Sequence, residues 1–156
     1  MPPTHTYRTT TRWTGNLGTG TRDYRGYSRD HTLEAEGKPS LPGTSSTGYG
    51  MDPARYNPEE LLVGALSSCH MLWYLHLCAE AGVAVVAYED PAEGTLELSK
   101  ERGGRMVRAT LRPHVRVGEG SLERARELHE EAHRRCYLAN SVNFPVVVEP
   151  VVEPAA

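Results

Sequence analysis

From Asn57 to Gly82 the chain reads Asn-Pro-Glu-Glu-Leu-Leu-Val-Gly-Ala-Leu-Ser-Ser-Cys-His and continues through Met71-Leu-Trp-Tyr-Leu. Its apolar residues, Leu61, Leu62, Val63, Leu66, Met71, Leu72, Trp73, Leu75 and Leu77, fall on nearly every side of a helix, which demands cover from a sheet or from another subunit. Both ends are marked. Asn57 suits an N-cap, Pro58 the first helical position, Glu60 completes an Asn-x-x-Glu capping box, and Gly82 can take the left-handed conformation that ends a helix. The pattern predicts a helix over 58–81. Leu61 to Ala81 has the length of a membrane span, but Ser67, Ser68, His70, His76 and Glu80 are too many polar groups for hydrocarbon, so it reads as the central core helix of a soluble protein.

The rest of the chain frames that helix. Upstream, 6–15 and 24–36 are rich in Thr, Tyr and Trp with partial alternation, and the Asn16-Leu-Gly-Thr-Gly-Thr link makes them an antiparallel hairpin. Residues 37–56 carry Pro39, Pro42, Gly43, Gly48, Gly50 and Pro53, which predicts a long loop of the kind that is often functional. Downstream, 83–89, 95–101 and 105–117 read as a three-stranded meander. Ser121 caps a second helix with Leu122, Ala125, Leu128 and Ala132 as its stripe, and 145–152 is a last apolar strand. The expected class is α+β, with two sheet-helix halves around a long buried helix. Neither half covers that helix, and a dimer sharing its sheets would.

A chain of 156 residues is long enough for one domain with a real core. With a net charge of -3 and no basic cluster, nucleic acid is a poor partner, and a small molecule is the better expectation. The Met-Pro-Pro-Thr-His-Thr-Tyr start has no apolar signal region, and three cysteines without repeating spacing do not form a secreted disulfide framework. Both point to a reducing cytoplasm.

Cys69 and Cys78, nine positions apart, point to opposite sides of one helix and cannot bond to each other. Cys78 reads as packing. Cys69 is either a small buried apolar residue or, with Cys136 after Arg134 and Arg135, half of a redox pair; cations favour a Cys136 thiolate while a helix C-terminus opposes one. Structural zinc takes tighter ligand pairs than Cys69, His70, His76, Cys78, His133 and Cys136 offer, and no cysteine-hydrolase signature surrounds Cys69. His70 reads as a satisfied helix histidine.

Asn57-Pro-Glu-Glu-Leu-Leu, then Ser67-Ser-Cys-His, then Cys136-Tyr-Leu-Ala-Asn-Ser resemble the osmotically induced protein C and organic hydroperoxide resistance (OsmC/Ohr) family over most of the chain. The resemblance implies an intertwined homodimer with active sites at the subunit interface and a thiol peroxidase activity toward organic hydroperoxides in oxidative or osmotic stress defence. Cys69 would be the peroxidatic residue and Cys136 the resolving one, with no metal, haem or flavin and with a dithiol reductant, in the hydroperoxide branch a lipoyl group on a protein. Gly20-Thr-Arg-Asp-Tyr-Arg resembles the family's Gly-Gly-Arg-Asp-Gly-Arg turn, which implies Arg22 as the active-site arginine and Glu59 as its carboxylate partner; Arg29 and Arg55 are rivals. Ten residues of straight helix span about 15 Å, so Glu59 would act on Cys69 only through a long arginine or a bend near Gly64. Tyr137 stands where many members have proline and His70 where the hydroperoxide branch often has an aromatic, which favours the broader OsmC-like group.

A protein sharing the fold could instead bind a small hydrophobic or electrophilic ligand in the interface pocket without catalysis. The readings differ on whether the Cys69 and Cys136 sulfurs meet, which needs Cα atoms within about 7 Å.

Overall fold

In a computed structural model describing all 156 residues, the capping box forms as read: Glu60 N–H donates to Asn57 Oδ1 at 2.8 Å, and Asn57 N–H donates to the Glu60 carboxylate at 3.1 Å. Helix α1 spans Pro58–Glu80 and passes unbroken through Gly64. It stops at Gly82, whose φ of 71° lets Val83 N–H return to the Cys78 carbonyl at 2.9 Å. The chain resolves into two compact units, residues 1–61 and 62–156.

The first unit holds one antiparallel sheet, β1 (Thr10–Trp13), β2 (His31–Glu34) and β3 (Leu41–Gly43), in that order. The expected hairpin is present with shorter strands. The link folds on itself through Asn16, whose Oδ1 accepts from Gly18 and Gly20 N–H at 3.0 Å each. Residues 37–56 are not wholly irregular, because β3 lies inside them and their far end is pinned: Tyr56 N–H donates to Pro42 O at 3.2 Å and Thr44 N–H to Tyr56 O at 2.9 Å.

The second unit departs from the expected meander. Residues 105–117 are two strands, β6 (Gly103–Leu111) and β7 (His114–Glu119), because Pro113 has no N–H to continue a ladder. Arg112 N–H turns aside to Asp90 Oδ1 at 2.7 Å. With that break, β4 (Ala84–Glu89) pairs with β7, while β5 (Glu93–Ser99) pairs with β6. Pro150 divides the last strand in the same way into β8 (Val146–Val148), parallel to β6, and β9 (Val151–Pro154), parallel to β7. The class is α+β as expected, but with three three-stranded sheets rather than two sheet-helix halves.

Helix α2 (Leu122–Arg135) starts at Ser121, whose Oγ accepts from Arg124 N–H at 3.1 Å. Its Ala125, Leu128 and Ala132 pack with Tyr74, Leu77 and Cys78 of α1, Val115 and Val117 of β7 and Val152 of β9. A smaller core holds Leu66 of α1 with Ala109 and Leu111 of β6 and Val146 of β8. Helix α1 thus serves two cores, with residues 67–72 between Leu66 of the smaller and Trp73 at the edge of the larger.

The central helix is not buried all round within one chain. Leu66, His70, Tyr74, Leu77 and Cys78 are buried, whereas Met71, Trp73 and Leu75 are half-buried and Leu72 is 64% exposed. It is the one helix long and apolar enough to cross a membrane, yet its buried stripe carries His70 and Tyr74 into protein rather than lipid.

The turn from β7 to α2 depends on Gly120. Its φ is 104°, and a Cβ there would stand 2.8 Å from Gly82 O and 2.9 Å from Val83 Cα. Both obstacles are backbone. Gly120→Ala should therefore lower stability by about 1–3 kcal/mol, read as a lower urea midpoint with an unchanged slope; an unchanged midpoint would mean the turn is freely deformable.

Candidate active site

Cys69 lies in the middle of α1, in the stretch between the two cores, and is half-exposed. Cys136 is the C-cap of α2, and its N–H donates to His133 O at 3.3 Å. Directly after it the chain makes a short 3₁₀ turn, Ala139–Ser141, and Ala139 N–H donates to Cys136 Sγ at 3.5 Å. Cys136 is 1% exposed. Burial pushes its thiol up to about 11; the Ala139 N–H works against that, while the Cys69 thiol adds to it as a hydrogen-bond partner and through charge. The two sulfurs therefore neighbour each other, one partly open and one enclosed and held protonated at neutral pH.

Cys78 is core. Burial raises its thiol despite a hydrogen bond with Tyr74, and neither of the other cysteines meets it. No three metal-ligating side chains converge anywhere in the chain.

His70 departs from the satisfied histidine expected. It is 0% exposed, and His129 is 2% exposed. Their rings lie nearly parallel with His70 Nε2 3.0 Å from His129 Nδ1, and Tyr74 stacks on His129 at 3.8 Å. His70 Nδ1, His129 Nε2 and His133 Nδ1 are buried without a partner. Burial drives His70 down to about 4 and His129 to about 3, with His133 and His70 respectively adding to the effect, so both rings are neutral near pH 7. Sequence reasoning missed this group. The signal was His70 and Tyr74 at i, i+4 on one helix, with Ala125, His129 and His133 at the same spacing on the other.

In the first unit, Arg22 is exposed and makes no ion pair, and it is not paired with Glu59. Glu59, in the first turn of α1, has a buried carboxylate oxygen without a partner. The rival arginines are engaged. Arg29 donates to Tyr24 O at 3.1 Å and Tyr27 O at 2.9 Å and lies over both rings, whereas Arg55 donates to His31 O at 3.2 Å and pairs with Asp30 and Asp52.

Residues 50–151 match the family model of OsmC-like proteins. An OsmC-like protein of unknown function from Vibrio cholerae has 30% sequence identity and a TM-score of 0.85, with 95% of this chain and all of that one covered. An organic hydroperoxide resistance protein from Elizabethkingia anophelis shares the fold at 18% identity, TM-score 0.67, over 99% of this chain and 100% of that one. So does one from Bacillus subtilis at 18% identity, TM-score 0.60, over 96% and 98%. No curated protein matches the sequence. The matched residues include α1, α2 and both neighbouring cysteines, and the chain belongs to the OsmC-like protein family.

Proposed function

We propose that the protein is a cysteine peroxidase that reduces organic hydroperoxides, with Cys69 as the peroxidatic residue and Cys136 as the resolving one. The observation that carries this reading is the neighbouring pair of unlike thiols, Cys69 reachable and Cys136 enclosed beside it. The names of the two hydroperoxide resistance proteins with the same fold agree with it.

The chemistry closes without a metal or an organic cofactor. A Cys69 thiolate attacks the terminal oxygen of the hydroperoxide, the O–O bond breaks, and the alkoxide leaves and takes a proton to become the alcohol. Cys69 is left as a sulfenic acid. The Cys136 sulfur then displaces its hydroxyl, which leaves as water once a proton reaches it, and a disulfide forms. A dithiol reductant, such as the lipoyl group of a protein, reduces that bond by exchange.

Arg22 and Glu59 complete the proposed site. A thiolate beside apolar side chains needs a cation, and Arg22 has no partner of its own, unlike Arg29 and Arg55. The orphan oxygen of Glu59 is the acceptor such an arginine would satisfy. A homodimer completes the reading, since a second copy would cover Met71, Leu72, Trp73 and Leu75. Thiols that work from the reduced state suit the cytoplasm.

The test is thiol loss per subunit when reduced protein receives one equivalent of cumene hydroperoxide or of hydrogen peroxide, followed by mass spectrometry. Fast loss of two thiols as a Cys69–Cys136 disulfide, faster with the organic peroxide, is expected. Slow oxidation indifferent to the peroxide would end the peroxidase reading in favour of a ligand-binding member of the fold.

A further inference from the structure

The seam between α1 and α2 is closed at its centre by two histidines. Tyr74 of α1 donates its hydroxyl to the Ala125 carbonyl of α2 at 3.0 Å, and one turn along, His70 Nε2 of α1 stands 3.0 Å from His129 Nδ1 of α2. The His129 ring is nearly parallel to that of Tyr74, 3.8 Å away, and to that of His70, 5.3 Å away. Both histidines are fully enclosed. The other buried residues of α2 are Ala125, Leu128 and Ala132, so His129 is the one titratable group that this helix buries.

The pair has no place for a further proton. Each neutral ring carries one N–H and their mutual bond uses one of the two; His70 Nδ1 and His129 Nε2 are buried without a partner, so the other N–H already lacks an acceptor. A third proton would add a second such N–H and a charge away from water. Burial therefore holds both rings neutral, His70 down to about 4 and His129 to about 3. Asp90 is the carboxylate that favours a charged His70, but its oxygens already accept from Ser67 Oγ at 2.5 Å and from Arg112 N–H at 2.7 Å. The other ionisable groups about the pair are Tyr74 and Cys78 on α1, His133 on α2 and Tyr88 on β4, none of them a carboxylate. Arg124 and Arg126 of α2 turn to Glu127 and Glu131 and to the Val152 carbonyl, while β7 and β9 bring Val115, Val117 and Val152 to this core.

We propose that the His70–His129 pair is an acid-sensitive latch: as the rings take up protons, α2 comes away from α1 while the strands of the second unit stay paired. The larger core is the one that needs α2. The smaller core, Leu66 with Ala109, Leu111 and Val146, has no residue from that helix, and β5, β6 and β8 are joined by their own ladders. The direction follows from the enclosure of the rings. Once released, both histidines return to the ordinary range near 6.5, so the latch holds above that pH and weakens as pH falls toward the lowered values of the closed state. Between pH 6 and pH 5 the two proton uptakes multiply to a rise of about 50-fold in the released fraction.

Cys78 reports the release, because it is 1% exposed and lies in the core that α2 covers. Reduced protein is treated with dithiodipyridine, which modifies thiols even in acid, at a series of pH values between about 7 and 4. Glutathione run alongside removes the reagent's own pH dependence, and labelled Cys78 is read by peptide mass spectrometry. Its protection should fall by about 50-fold between pH 6 and pH 5, while β5 and β6 amides keep their protection from hydrogen exchange. His70→Gln combined with His129→Asn sets amides where the bonded ring nitrogens stood and cannot take up a proton, so there the fall should shrink to less than about 3-fold. Should that double variant not fold, imidazole nitrogen NMR of the wild type decides: both rings should stay neutral while Cys78 is protected and gain charge in step with its exposure. Protection of Cys78 that ignores pH would overturn the proposal, as would an equal fall in the double variant or rings that charge while Cys78 stays closed. Loss of β5 and β6 protection at the same pH would also overturn it, since the whole unit would then be unfolding.

Discussion

On the proposed reading, Cys69→Ser should bring hydroperoxide consumption down to the rate in protein-free buffer, a loss of at least about 10³-fold. The reaction needs an atom that is both a good nucleophile at neutral pH and able to carry a hydroxyl after the O–O bond breaks; sulfur meets both conditions and a serine oxygen neither. The substitution is close to isosteric at a half-exposed helix position, so the unfolding free energy from urea titration should stay within about 0.5 kcal/mol of wild type and lost activity cannot be lost fold. A second effect is local. With the Cys69 sulfur gone, one of the influences holding the Cys136 thiol near 11 disappears, and its titration should move downward, although burial keeps it above an ordinary thiol. A Cys69→Ser protein that still reduces cumene hydroperoxide at the wild-type rate would remove Cys69 from the mechanism.

The parts legible in the sequence were those set by local rules. The capping box at Asn57 and Glu60, the left-handed Gly82 and the Ser121 cap all form, because each is satisfied within a few residues. The strands near Pro113 and Pro150 were read too long. A strand-like pattern extends across each proline, but a ladder needs an N–H that proline lacks, and once the strand breaks the pairing partners change from a meander to β4 with β7 and β5 with β6. The histidine group was hidden for another reason. His70 and His129 are far apart in sequence, and only the packing of Tyr74 against Ala125 sets the register that joins them. The cover of α1 was half-legible: an all-round apolar pattern says that cover is needed, and a single chain buries only one stripe. The neighbouring sulfurs were an implication of resemblance until the end of α2 placed Cys136 beside Cys69.

Cys136→Ser should separate the two halves of the chemistry. Cys69 keeps its position on α1 and still meets peroxide, so one equivalent is consumed as in the wild type, but the product mass differs. Wild type should lose two hydrogens as the disulfide closes, whereas the variant should gain one oxygen and be trapped by dimedone as a sulfenic acid. Excess peroxide then decides the outcome. The wild-type disulfide shields both sulfurs, while the exposed sulfenic acid of the variant should advance to sulfinic and sulfonic acids, so that turnover with a dithiol stops within the first few cycles. The enclosure of Cys136 suits it to the proposed resolving role. A buried thiol, protonated until its pKa near 11 or until a neighbour takes its proton, is slow toward peroxide in solution yet fixed beside the one sulfur it must attack. Exchanging the roles would fail, since the enclosed sulfur would have to meet the substrate. If the variant instead forms an intramolecular disulfide, Cys78 must supply it. That cysteine lies nine positions along α1 from Cys69, inside the larger core, where only unfolding of that core would bring it within bonding reach.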